Sequence, residues 1–232
     1  MTYFLINSRF PDEYRDKISV FGKCLPVPEF GLLDFPVNAH PDMQAVNIMG
    51  RLFIHRENTA LASLLTRHGI NFYTVDDKVS ALYPGDISLN LFAVRNRLFA
   101  NTAHASAQVL EYAEKNGFRL CNVKQGYAKC SSMTLGDAIV TADTSIHKSA
   151  TSEGIPSLLI RPGSIGIEKY NTGFIGGASA EIAPNKIAVF GSMRSHPDGE
   201  NILAFAKERG ADILELGDGE LFDYGGIVRA DT

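Results

Sequence analysis

Short apolar runs alternate with polar-rich stretches of helical character along the chain, and the alternation repeats. Five times a helical stretch ends in glycine and passes into an apolar strand. PDEYRDKISVFG leads through Gly22 into KCLPV, NTALASLLTRHG through Gly69 into INFYTV, and TAHASAQVLEYAEKNG through Gly117 into FRLCNV. TSIHKSATSEG leads through Gly154 into IPSLLI, and PDGENILAFAKERG through Gly210 into ADILEL. Glycine just past a helix takes the left-handed conformation that turns the chain without a Cβ penalty. Pro11, Asn58, Thr102, Thr144 and Pro197 stand at the opposite ends, where an N-cap or first helical residue belongs.

A short strand precedes each helix: YFLIN, RLFIH, RLFAN, DAIVTA and KIAVFG. A further strand precedes the last four of these, in QAVNIM, ISLNLFAV, SSMTL and GASAEI. The first unit lacks that extra strand, and the C-terminal YGGIVRA supplies it. A chain whose last strand completes its first module leaves no open sheet edge. The pattern therefore predicts an α/β fold of five ββαβ modules, a propeller-like ring closed by the C-terminal strand, as a single domain over residues 1–232. A doubly wound sheet is the other architecture open to alternating strands and helices. No GxGxxG opens a helix and no GxxxxGK[ST] occurs, so a nucleotide-binding form of it lacks a phosphate cradle.

Composition narrows the partners. Lys and Arg number 22 against 26 Asp and Glu, a net charge of -4, which argues against a nucleic-acid binder. No apolar run approaches the roughly 18 residues of a membrane span, and MTYFLINSRF turns polar too soon for a signal peptide. Cys24, Cys121 and Cys130 have no CxxC spacing and fit reduced thiols in a cytoplasm.

The phrases HPDMQ, YPGDISLN, KQGYAKCS, GFIGGAS and LFDYGGI, set in five ββαβ units, resemble a bacterial family of the pentein, or guanidino-group-modifying, superfamily. That superfamily includes arginine and agmatine deiminases, amidinotransferases, dimethylarginine hydrolases and a ribosome anti-association factor. The resemblance implies a five-module fan with its site on the central axis. In the catalytic members a cysteine nucleophile stands in the last module beside a histidine. The matching stretch here, GGIVRADT, places Arg229 and Ala230 there, so the nucleophile is missing from its usual position.

In such a fan the segment leading into each module's first strand lies near the axis. Asp42, Asp86, Cys130 and Phe174 follow one another at steps of 44 residues, and Asp223 follows at a longer step. Acids gathered on one axis raise one another's pKa unless a cation joins them, and a planar guanidinium matches carboxylates two bonds at a time. The same Asp residues also suit simple turn-capping. Cys130, in YAKCSS, is the one cysteine outside an apolar run, and Lys124 and Lys129 nearby favour its thiolate. His40, in His-Pro-Asp ahead of a strand, is the acid–base candidate. Gly176 and Gly177 could present backbone amides to a ligand or relieve crowding at a narrow axis. Asn47 and Asn90, placed inside first strands, suggest a polar interior.

The expected function is therefore a hydrolase or transferase acting on a guanidino or related amino compound. Cys130 and His40 are its catalytic pair, and Asp42, Asp86, Asn90, Lys124, Gly176, Gly177 and Asp223 its binding residues. A non-catalytic binder of a small cationic metabolite is the alternative. A protein that binds macromolecules through an outer face, like the ribosome factor, fits the acidic charge less well. Neither metal nor cofactor is expected, since the histidines are scattered and lack ligand spacing. Membrane and nucleic-acid partners are not expected either, and the sequence sets no oligomeric state.

Overall fold

A computed structural model describes residues 1–231. The first module holds β1 (Thr2–Ile6), α1 (Asp12–Ser19) and β2 (Lys23–Pro26). The second opens with a one-turn helix, α2 (Pro41–Gln44), followed by β3 (Ala45–Ile48), β4 (Arg51–His55), α3 (Thr59–Arg67) and β5 (Tyr73–Val75). The third holds β6 (Phe92–Val94), β7 (Arg97–Ala100), α4 (Ala107–Lys115) and β8 (Arg119–Asn122). β9 (Ser132–Leu135), β10 (Ala138–Thr141), α5 (Thr144–Ser152) and β11 (Ser157–Leu159) make the fourth. The fifth holds β12 (Ser179–Ala183), β13 (Lys186–Val189), α6 (Gly199–Glu208) and β14 (Asp212–Glu215), and β15 (Val228–Asp231) ends the chain.

Every predicted strand forms. The strands make five separate three-stranded sheets, each with its middle strand antiparallel to one neighbour and parallel to the other. β15 pairs antiparallel with β1, Leu5 opposite Val228, and so fills the first module's missing place. The sheets do not join into one closed sheet. Between them lie five apolar cores, each shared by two modules. Leu5 and Leu25 pack with Leu52 and Ile54, Val46 and Phe53 with Leu98, and Phe99 with Ile139. Val140 packs with Ile187 and Val189, and Phe190 and Ala188 with Phe4 and Ile6. The last of these joins the fifth module to the first. No helix among the described residues is long and apolar enough to cross a membrane.

Some predicted boundaries move. Gly69, Gly117, Gly154 and Gly210 have φ between +65° and +83°, as caps should. Gly22 does not; its reason is packing, because a Cβ there would come within 2.8 Å of the Phe4 ring. Asn58 caps α3 through its side chain, accepting from the Leu61 amide. α4 starts behind Ser106 rather than at Thr102, since His104 and Ala105 first turn back onto the Asn101 carbonyl. α6 starts behind Asp198, one residue past Pro197.

Candidate active site

Two residues ahead of each module's first strand stand Met43, Asn90, Cys130, Gly177 and Gly226. These positions match one another from module to module, and counting by 44 finds Cys130 but slips elsewhere. The slip has a local cause. Turns at Ile87–Asn90 and Leu89–Leu91 delay β6 until Phe92, so Asn90 lies outside the strand and Asp86 sits a further turn away. His40-Pro41-Asp42 likewise opens α2 rather than a strand, with His40 extended at the N-cap and Pro41 at the first helical position. That turn carries Asp42 inward.

Cys130 is the hub. Its Sγ lies 3.2 Å from Asp42 Oδ2 and 2.9 Å from Asn90 Nδ2. Asn90 holds the thiol's backbone too, its Oδ1 accepting from the Lys129 and Cys130 amides at 2.9 and 3.2 Å. Asp42 Oδ1 is buried without a hydrogen-bond partner. Across the site, His40 Nδ1 stands 3.7 Å from Asp223 Oδ1. Asp223 is fixed by the Phe174 amide on Oδ2, at 2.8 Å, and the Gly225 amide on Oδ1, at 2.9 Å. Gly225, at φ +79°, lies against His40 where a Cβ would collide with the ring's own Cβ.

A cavity of about 240 Å³ brings His40, Cys130 and Asp223 onto one surface, walled by Met43, Tyr127 and Phe174 and, toward its rim, Val37 and Tyr170. Tyr127 and Phe174 lie 6.0 Å apart between ring centres. Asp86 reaches this wall indirectly, its Oδ2 accepting from the Tyr127 hydroxyl at 2.7 Å. The Tyr170 hydroxyl bonds Asp34 at 3.3 Å, and Asp34 also pairs with Lys169 at 2.5 Å, tying two loops together.

Burial dominates the electrostatics. It lifts the Asp42 carboxyl to about 7, with Asp223 adding to the rise and Lys129 opposing it. It pushes the Cys130 thiol well above its ordinary value, helped by Asp42 and Asp223. It pushes His40 down against the pull of Asp223, so the imidazole is neutral at pH 7. Asp86 is raised by burial, with the Tyr127 hydrogen bond opposing. The sequence expectation of a lowered thiol fails because the lysines do not reach it. Lys124 is exposed, its backbone bonded to Ser145 and Asn101, and Lys129 Nζ points to the Gly176 carbonyl at 3.1 Å.

Gly176 and Gly177 are buried in close contacts. A Cβ at Gly176 would overlap the Lys129 and Ser132 carbonyls, and one at Gly177 would overlap Asp223. The Gly177 amide donates to the Cys130 carbonyl at 3.1 Å. The sequence therefore names Cys130, His40, Asp42, Asn90 and Asp223 together, and the structure brings them together. It leaves Lys124 outside and gives the glycines backbone contacts. Tyr127, Tyr170 and Met43 were not singled out; Tyr127 lies three residues before Cys130 in the same GYAKC phrase, which was the available signal.

A family profile matches residues 5–228, described as a Family of unknown function (DUF6873). The chain belongs to that family. No curated protein matches it. Among solved structures, its fold is similar to a dimethylarginine dimethylaminohydrolase captured as an adduct with S-methyl-L-thiocitrulline. The TM-score is 0.59 at 10% identity, over 98% of each chain. It is similar to the C. jejuni agmatine deiminase, with TM-score 0.54 at 10% identity over 93% of this chain and 87% of that one. An amidinotransferase from Microseira wollei gives TM-score 0.50 at 12% identity over 92% and 87%. All three are penteins, so this DUF6873 member has the pentein fold. At such identity the likeness speaks to fold alone.

Proposed function

We propose that this chain modifies a guanidino or amidino compound by thiol chemistry, as a hydrolase or a transferase. One observation carries the reading: a buried thiol 3.2 Å from one carboxylate opens into a cavity that also presents a second carboxylate and a neutral imidazole. Cysteine in the fourth module takes the place of the last-module cysteine of other catalytic penteins. The core that joins the fifth module to the first, together with the β1–β15 pairing, supports a ring folded as one domain with this cavity on its axis.

With the cavity empty, Asp42 and Asp223 hold Cys130 protonated. A planar cation between the two acids cancels their fields and favours the thiolate, so the substrate itself activates the nucleophile. His40, neutral through burial, accepts the thiol proton. The S–C bond forms at the central guanidino carbon while a C=N electron pair moves onto nitrogen. Collapse breaks one C–N bond, and the departing amine takes the proton from His40, leaving a thiouronium on Cys130. Water then attacks that carbon and the thiol leaves, giving a urea; an amine in place of water gives transfer. Asn90 orients the sulfur, and Asp86 acts through Tyr127.

A non-catalytic binder of a cationic metabolite is the second reading, favoured by the raised thiol. Incubation with 2-chloroacetamidine, with peptide mapping by mass spectrometry and thermal shifts against guanidino compounds, separates the two. An adduct on Cys130, blocked by a guanidino compound, supports the enzyme. Thermal shifts without an adduct support the binder, and neither response refutes both.

A further inference from the structure

We propose that the compound taken by this cavity is a guanidinium or amidinium with an apolar or aromatic substituent and no carboxylate. The inference rests on the reading above that the site takes such a cation, but not on whether it reacts. Beyond the ends of Cys130, His40 and Asp223 and one threonine, Thr172, the walls are apolar or aromatic: Val37, Met43, Ile167, Phe174, Tyr127 and Tyr170. Every formal charge facing this space is negative, from Asp223 in the lining and Asp42 behind the sulfur.

The neighbouring cations are engaged elsewhere. Arg9 spends its guanidinium on Glu29 at 2.7 Å, Asn38 at 2.8 Å and the Pro36 carbonyl at 3.0 Å. Lys129 bonds the Gly176 carbonyl and lines a different cavity, which Asp42 also lines. Lys169 pairs with Asp34 at 2.5 Å, half-exposed. A ligand carboxylate seated here would be desolvated beside Asp223 with no cation to meet it. An apolar tail, in contrast, gains from every wall it covers, and flat aromatic faces also suit a planar cation.

Size and outlet agree. At about 240 Å³ the space is smaller than the roughly 300–1,000 Å³ of sites for drug-sized ligands. It suits a cationic head and a few carbons. A second apolar layer continues outward: Tyr83 lies 5.8 Å from Tyr127 and is 53% exposed. Single exposed aromatics are ordinary, but this one extends a wall that already belongs to the site.

Isothermal calorimetry with methylguanidine, butylguanidine, phenylguanidine, 4-guanidinobutyrate and arginine tests the proposal. Butylguanidine and phenylguanidine are expected to bind at least about tenfold more tightly than the two carboxylates, and more tightly than methylguanidine. Phe174→Ala is expected to weaken phenylguanidine several-fold more than methylguanidine, since the amide that holds Asp223 is kept while the aromatic wall is lost. Arginine or 4-guanidinobutyrate binding as well as butylguanidine overturns the substrate class while leaving the cation site standing. Methylguanidine binding as tightly as its longer relatives also overturns it. Silence from all five, methylguanidine included, removes the cation site as well.

Discussion

Asp42→Asn should make the protein more stable, and the gain should grow with pH. Asp42 is 1% exposed, one of its oxygens has no partner, and the other receives the Cys130 thiol. Burial raises its pKa from 3.8 to about 7. Between those values the folded chain binds a proton that the unfolded chain has released, so stability is greatest at low pH and falls as pH rises through about 7. About three pH units at 1.36 kcal/mol each amount to about 4 kcal/mol, an appreciable part of a domain's 5–15. Asparagine cannot ionise, keeps the side chain's shape and still offers an oxygen to the thiol. Urea unfolding of both proteins at about pH 5, 7 and 8.5 reads the effect. Protonation of His40 below neutrality lowers the stability of both and largely cancels in the difference. The variant should already lead by about 1–2 kcal/mol at about pH 5, where the unfolded carboxyl has ionised and the folded one has not, and by up to about 4 kcal/mol at about pH 8.5. A difference that is constant with pH, or a variant that is weaker at high pH, refutes the account of a buried, isolated acid.

Three further outcomes follow from the same geometry. Iodoacetamide should alkylate Cys130 in the empty protein only with a midpoint above about 9, and 10 mM-scale guanidinium salts should move that midpoint down, since they screen Asp42 and Asp223; an ordinary midpoint in the absence of any cation contradicts the buried acid–thiol pair. Gly177→Ala should cost about 1–3 kcal/mol and abolish cation binding together, because its Cβ would displace the Asp223 carboxylate; a stable variant with intact binding in calorimetry rejects that contact. Deleting residues from Asp223 onward removes β15 and one acid, and should abolish cooperative thermal unfolding, whereas a melt like that of the full chain argues against closure through β1.

The repeat was legible because its signals are local. A glycine after each helix and an apolar run on either side depend on backbone conformation and burial within one module, and all fifteen strands fall where those signals stand. The missing first strand was legible for the same reason, since YGGIVRA carries a strand pattern with no helix to follow it. The site was legible in part. Cys130, Asp42 and Asp223 lie just before strands, so the repeat alone carries them toward one place. Counting misplaces Asp86, because spacing along the chain is blind to the extra turns before β6 that put Asn90 in the matching position instead. The direction of the thiol's pKa was also hidden. Lys124 and Lys129 are near Cys130 in sequence, but electrostatic energy depends on distance through space and on lost water. Packing turns one lysine to solvent and the other to a carbonyl, while two acids from other modules, 88 residues away in the case of Asp42, close on the sulfur. Sequence determined the modules and the residue types at their ends; only tertiary packing decided which of those ends are buried together, and burial is what sets their charge.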